Sequence, residues 1–151
     1  MTTYHATVHS PAGHWPDNAA SDSLSLDFDA RHRRRLRMTT ESGREILLDL
    51  PKAVAMADGD GLQLEDGGWV RVCAAPEPIV QIEHADPTQL IRIAWHLGNR
   101  HLPTQLSRDD LKIRPDHVIE KMLEGLGATL THLHMPFQPE GGAYSAVHRH
   151  G

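Results

Sequence analysis

A single cysteine in 151 residues leaves nothing for an internal disulfide to pair with, which excludes a disulfide-stapled fold and a Cys-x-x-Cys redox pair. Cys73 reads most simply as a small buried hydrophobe. No apolar run approaches the roughly 18 residues of a membrane-spanning helix. The N-terminal segment also lacks the basic and apolar regions of a secretory signal. These absences describe a soluble cytoplasmic protein with no membrane partner. Positive charge is not in excess either: Lys+Arg 15 against Asp+Glu 20 gives a net charge of −5, and no nucleic-acid footprint results. The chain carries no glycine-rich phosphate loop and no Gly-x-Ser-x-Gly elbow. Aromatics are scarce at 5%, within 39% hydrophobic residues, so any core is modest. Association between chains is then an expected way to cover leftover apolar surface.

Histidine is what the chain does have. Twelve imidazoles against one thiol point to imidazole chemistry, and to a metal such as nickel, copper, zinc or cobalt, among which ligand type alone does not choose.

The pattern along the chain predicts two domains, 1–75 and 76–151. Residues 1–22 are polar and interrupted by Pro11, Gly13 and Pro16, and read as a loosely ordered arm with one short strand over 4–8. Short strand-like segments succeed it at 24–28, 33–39, 45–50, 53–56, 62–64 and 69–74, separated by turn residues such as Ser42-Gly43 and Asp66-Gly67. They predict a small all-β domain, barrel-like or sandwich-like. The run Arg31-His32-Arg33-Arg34-Arg35-Leu36-Arg37 reads as the solvated face of an edge strand, where like charge blocks edge-to-edge pairing. Ala75-Pro76-Glu77-Pro78 is the expected linker.

Beyond the linker the periodicity changes. A strand over 79–83 precedes a helix start at Asp86-Pro87-Thr88-Gln89, with Asp at the N-cap and Pro at the first helical position. Leu90, Ala94 and Leu97 supply its apolar face, and Gly98 is the expected stop. Strands at 104–106 and 111–114, a helix from Asp116 to Gly125 or Gly127, and a strand over 128–135 complete the order β-α-β-β-α-β, that of a ferredoxin-like fold. The fold class is therefore α+β. Residues 136–151 show no period and read as a flexible tail.

The densest constellation is His96-Leu97-Gly98-Asn99-Arg100-His101. Five residues advance a helix by about 500°, which would leave the two imidazoles about 140° apart. If the helix stops at Gly98, His101 stands on the turn beyond it and projects outward. His117 falls in the first turn of the second helix, where the dipole disfavours imidazolium. His84 comes just after a strand, His132 and His134 share a strand face, and His148 and His150 lie in the tail. For each, a surface histidine with no ligand role is the simpler alternative. If His101 leads and one chain adds only one or two ligands, a second chain must complete the site across a twofold axis. Two other readings stand beside this one: a metal-dependent hydrolase using His96, His101 and Glu83 or Asp86, and a peptide-binding or scaffold module with incidental histidines.

Several motifs in order resemble the urease accessory protein E (UreE) family of nickel metallochaperones. They are Asp86-Pro87, Trp95-His96-Leu97-Gly98-Asn99-Arg100-His101, Asp116-His117-Val118 with Met122-Leu123, and Pro136-Phe137-x-Pro139-Glu140-x-Gly142-Ala143-Tyr144, together with the arginine-rich strand and Gly59-Asp60. The resemblance implies a homodimer with an N-terminal β domain of peptide-binding type and a C-terminal ferredoxin-like domain, and no catalytic activity. It implies that His101 and its mate form the principal nickel site, with His117, His84, His148 and His150 as accessory ligands. Two residues before His117 stands Pro115, where some members carry a companion ligand. Delivery of nickel to urease through the accessory GTPase and the urease maturation complex is implied as well, with zinc or copper able to replace nickel in vitro.

Overall fold

The computed structural model describes residues 3–141, and the chain divides into two compact units, Met1–Ala75 and Pro76–Gly151. In the first, strands β1 (Thr3–Ser10), β2 (Ala20–Leu26), β3 (Arg35–Thr39), β4 (Glu45–Asp49), β5 (Gly61–Leu64) and β6 (Trp69–Ala74) form one sheet in the order β2-β6-β5-β1-β4-β3. Alternate residues point to one side, so Leu24, Met38, Ile46, Leu48, Leu62 and Val72 meet in a single core. The sheet curls around that core. The Glu41 amide, in the turn between β3 and β4, donates to the Ser23 carbonyl on β2 at 2.9 Å, and Arg44 pairs with Asp22 at 3.0 Å. Strands at opposite ends of the sheet order are thereby tied together, as in a partly closed barrel. Burial by itself would raise the Asp22 carboxyl, but hydrogen bonds from Ser42, Thr40 and Arg44 outweigh it and hold the group well below the usual carboxylate range.

The structure departs from the sequence expectation at four places in this unit. The strand expected over 4–8 is present but runs over Thr3–Ser10 and, far from lying in a loose arm, sits inside the sheet, parallel to β4 and antiparallel to β5. Its inward positions are Tyr4 and Ala6 and, past a register shift, His9, which lies opposite Leu62 and meets the buried Asp60 at 2.7 Å, so its alternation lacks the large aliphatics that mark a buried strand. Beyond it Trp15 is buried and sits so close over Gly61 that a Cβ there would meet its ring at 2.4 Å. The second strand begins at Ala20 and ends at Leu26, which leaves Phe28 outside it. No strand forms over 53–56. Met56 is buried, but its amide goes to the Arg31 carbonyl and its own carbonyl to the Arg31 guanidinium. Arg31 is therefore not part of a solvated face. It is 2% exposed and also donates to the Leu26 carbonyl, whereas Arg35 and Arg37 on edge strand β3 do face solvent.

The second unit contains β7 (Pro76–Glu83), α1 (Pro87–Asn99), β8 (Gln105–Leu106), β9 (Leu111–Ile113), α2 (His117–Gly125) and β10 (Thr129–Pro136). Its sheet order is β10-β7-β9-β8 with every neighbour antiparallel, the ferredoxin-like arrangement. Val80, Ile82 and Ile113 of the sheet pack with Leu90, Ile93 and Leu97 of α1 and with Ile119 and Leu123 of α2, so both helices cover one face. The expected linker is shorter than its prolines suggest, since Pro76 and Pro78 already belong to β7. There β7 pairs with β10 alone, because β9 reaches only Val80–Ile82, and a missing proline amide is tolerated on an unpaired side. Among the described residues no helix is long and apolar enough to cross a membrane.

This connectivity runs the two helices antiparallel. The end of α1 and the start of α2 share one end of the unit. The start of α1 and the end of α2 share the other.

Candidate metal centre

Helix α1 begins as its sequence dictates: the Asp86 side chain accepts from the Thr88 amide at 2.9 Å and Pro87 occupies the first turn. Leu90, Ile93 and Leu97 face the core. On the other side Ile91 is 70% and Trp95 is 65% exposed, and a Cβ at Gly98 would meet nothing within 4 Å. Spacings of four and three stack these residues in one stripe that leads to the foot of the helix.

At that foot the helix does not stop at Gly98. It continues to Asn99, and the left-handed residue that ends it is His101, with φ 58°. The His101 amide donates to the Gly98 carbonyl at 3.0 Å and the Leu102 amide to the Leu97 carbonyl at 3.1 Å. This pair of bonds is a Schellman motif, whose left-handed position is usually glycine. Helix α2 ends in the same way, with Gly127 donating to Glu124 at 3.0 Å and Ala128 to Leu123 at 3.1 Å. There the left-handed residue is Gly127, φ 84°. Among the described residues His101 is the one non-glycine with positive φ, a conformation that disfavours an L residue by about 1–2 kcal/mol. Its side chain is exposed, at the negative end of the α1 dipole, where a cation is favoured.

His117 is the exposed first residue of α2, at the same end of the unit as His101. It comes directly after Asp116, whose carboxylate caps the helix by accepting from the Val118 and Ile119 amides.

His84 is placed otherwise. It stands beside the start of α1, and the 13 residues of that helix separate it from His101 by roughly 20 Å. Its Nδ1 accepts from the Asp86 amide at 2.9 Å, so Nε2 carries the proton and donates to the Leu126 carbonyl at 3.0 Å. Both ring nitrogens are engaged, and the residue clasps the start of α1 to the end of α2. Within one chain it therefore stands at the opposite end of α1 from His101.

His96 stands exposed on α1 with its ring edge-on to Trp95, centroids 5.2 Å apart. His132 donates to Glu120 at 2.6 Å, whose second oxygen accepts from the Asp116 amide. Glu83 and Asp86, the carboxylates of the hydrolase reading, lie at the His84 end, away from His96 and His101. Among the described residues no group of three or more His, Cys, Asp or Glu is placed to hold a metal ion.

His148 and His150 lie outside the described residues. The base of their segment is described, and it is not loose over 136–140. Pro136 belongs to β10, Phe137 is fully buried, Gln138 donates its amide to the Gln105 side chain, and Glu140 donates its amide to the Thr104 carbonyl at 2.9 Å. Thr104 is three residues beyond His101. Sequence periodicity misses this anchor, for which the only signal is the Pro-Phe-x-Pro-Glu spacing.

A curled β unit, succeeded by a split β-α-β unit that presents one exposed imidazole on a left-handed turn, defines a two-unit histidine-presenting protein. Comparison with known proteins gives the class a family. The N-terminal domain of UreE urease accessory protein matches residues 1–75, and its C-terminal domain matches residues 77–151. The urease accessory protein UreE of Bradyrhizobium sp. (strain ORS 278) is 58% identical over 134 residues, 88% of this chain and 64% of its own length. That of Rhodopseudomonas palustris (strain BisB18) is 58% identical over 127 residues, 84% of this chain and 60% of its own. That of Chelativorans sp. (strain BNC1) is 52% identical over 131 residues, covering 87% and 82%. This chain belongs to the UreE family of urease accessory proteins. It spans about three-fifths of the length of the first two of these relatives, which are named as accessory proteins and not as enzymes.

Proposed function

We propose that this protein is a cytoplasmic nickel metallochaperone of urease maturation, acting as a homodimer. Its cargo is Ni(II), held between His101 and the same residue of a second copy across a twofold axis, and passed to urease through the accessory GTPase and the maturation complex. The observation that carries this reading is His101 itself, an exposed imidazole in a left-handed position that a glycine would occupy with less strain, at the foot of an apolar stripe. Covering Ile91 and Trp95 with a second copy would bring the two stripes, and the histidines below them, together. The open space at Gly98 suits such an approach.

His148 and His150 complete the site in this reading. His148 is eight residues past Glu140, a span of at most about 27 Å, while Thr104 lies within about 11 Å of His101, so the reach suffices. His117, at the same end, is an accessory ligand. His84 takes the structural role described above. Zinc or copper would compete for the same imidazoles in vitro.

Nickel stoichiometry and mass by equilibrium dialysis and light scattering test the proposal. Expected is about one nickel per dimer, lost in His101→Ala with the circular dichroism spectrum unchanged. One nickel per monomer, surviving that substitution, would overturn it.

A further inference from the structure

The two helix ends of the second unit pose a question about aim. An imidazole on a surface turn samples a wide cone unless its backbone is fixed, and a shared site at a twofold axis tolerates little error in direction. The backbone of residue 101 sits at φ 58°. Its left-handed conformation is held by the next residue along the chain. The Leu102 amide bonds to the Leu97 carbonyl at 3.1 Å, and the Leu102 side chain packs into the cluster that contains Leu97, a residue with no exposed surface. A hydrophobic contact between these two positions is the usual companion of the motif. In α2 the corresponding position is Ala128, which packs against the same cluster with a far smaller side chain, and there the left-handed residue is a glycine that needs no such restraint.

We infer that Leu102 is a positioning residue for the metal centre: its clasp onto Leu97 holds His101 in the strained left-handed conformation that directs the imidazole out from the foot of α1. This inference rests on the nickel site proposed above and goes beyond it, since it assigns the site's geometry to a leucine that touches no ligand. Truncation of Leu102 would let residue 101 relax toward a right-handed conformation, with the fold kept and the direction of the imidazole lost. The size expected is that of a supporting residue around a metal, a loss of about tenfold or more in affinity.

The test measures Ni(II) affinity by isothermal titration calorimetry of the full chain, with the unfolding midpoint of the nickel-free protein as the second readout. Leu102→Ala should weaken nickel binding by about tenfold or more, and Leu102→Met, which conserves volume, should restore it. Ala128→Gly, at the matching position after α2, should lower the unfolding midpoint and leave nickel affinity unchanged. Should Leu102→Ala fail to fold, Leu102→Val carries the same comparison with a smaller loss. Wild-type affinity in Leu102→Ala, or losses in Leu102→Ala and Ala128→Gly that both track the midpoint, would overturn the inference while leaving the nickel site standing. Nickel binding that is indifferent to His101→Ala would overturn both.

Discussion

The two helices of the second unit end in one hydrogen-bonded pattern with different residues in its strained seat, Gly127 after α2 and His101 after α1. Glycine is the residue that stability favours there, because it has no Cβ to crowd the neighbouring carbonyl. The α2 end obeys that preference, and its near neighbour is the His84 clasp, with a Cβ at Gly127 only 3.3 Å from Nε2. The α1 end departs from it, and what it presents instead is a solvent-facing imidazole. Two ends built alike thus separate a seat filled as stability favours from one filled against that preference.

Exchanging the roles of these ends breaks or sharpens the comparison. The largest expected effect is that of His101→Gly: the tight nickel site disappears in a titration, while the nickel-free protein becomes more stable by about 1 kcal/mol in urea. A loss of stability would mean that the imidazole contributes to the fold. Next, Gly127→Ala should destabilise by about 1–2 kcal/mol at unchanged nickel stoichiometry, measured by the same two assays. A smaller effect belongs to His84→Ala, which removes one bond to the Leu126 carbonyl and one from the Asp86 amide and should reduce stability by about 1 kcal/mol. If that variant instead lost nickel, His84 would be a ligand.

Much of the second unit is legible in the sequence. Asp86 before Pro87 marks a helix start by chemistry that acts within one turn, and Asp116 does the same for α2. The end of α1 is harder to read. Gly98 looks like the stop because glycine is the usual left-handed residue, whereas the strain falls three residues later on a histidine whose conformation no local preference announces. The surroundings of His84 are hidden for a related reason: an imidazole after a strand gives no local sign that the fold brings the Leu126 carbonyl to it. In the first unit the strand expected over 4–8 is longer and lies inside the sheet, because pairing with β4 and β5, distant in sequence, supplies what the weak local signal of Ala6 and the neighbouring histidines does not. Arg31 shows the same limit, since its burial depends on carbonyls at Leu26 and Met56.

The three tryptophans divide between the units in a way that bears on measurement. Trp15 and Trp69 stack in the first unit with ring centroids 5.3 Å apart, whereas Trp95 stands 65% exposed on the α1 stripe. Indole emission moves to the blue when water leaves the ring, so a concentration-dependent blue shift would come from Trp95 and vanish in Trp95→Phe. The stacked pair supplies a steady background against which that shift is read. The protein thus carries an intrinsic optical reporter on the helix face that a second copy would cover.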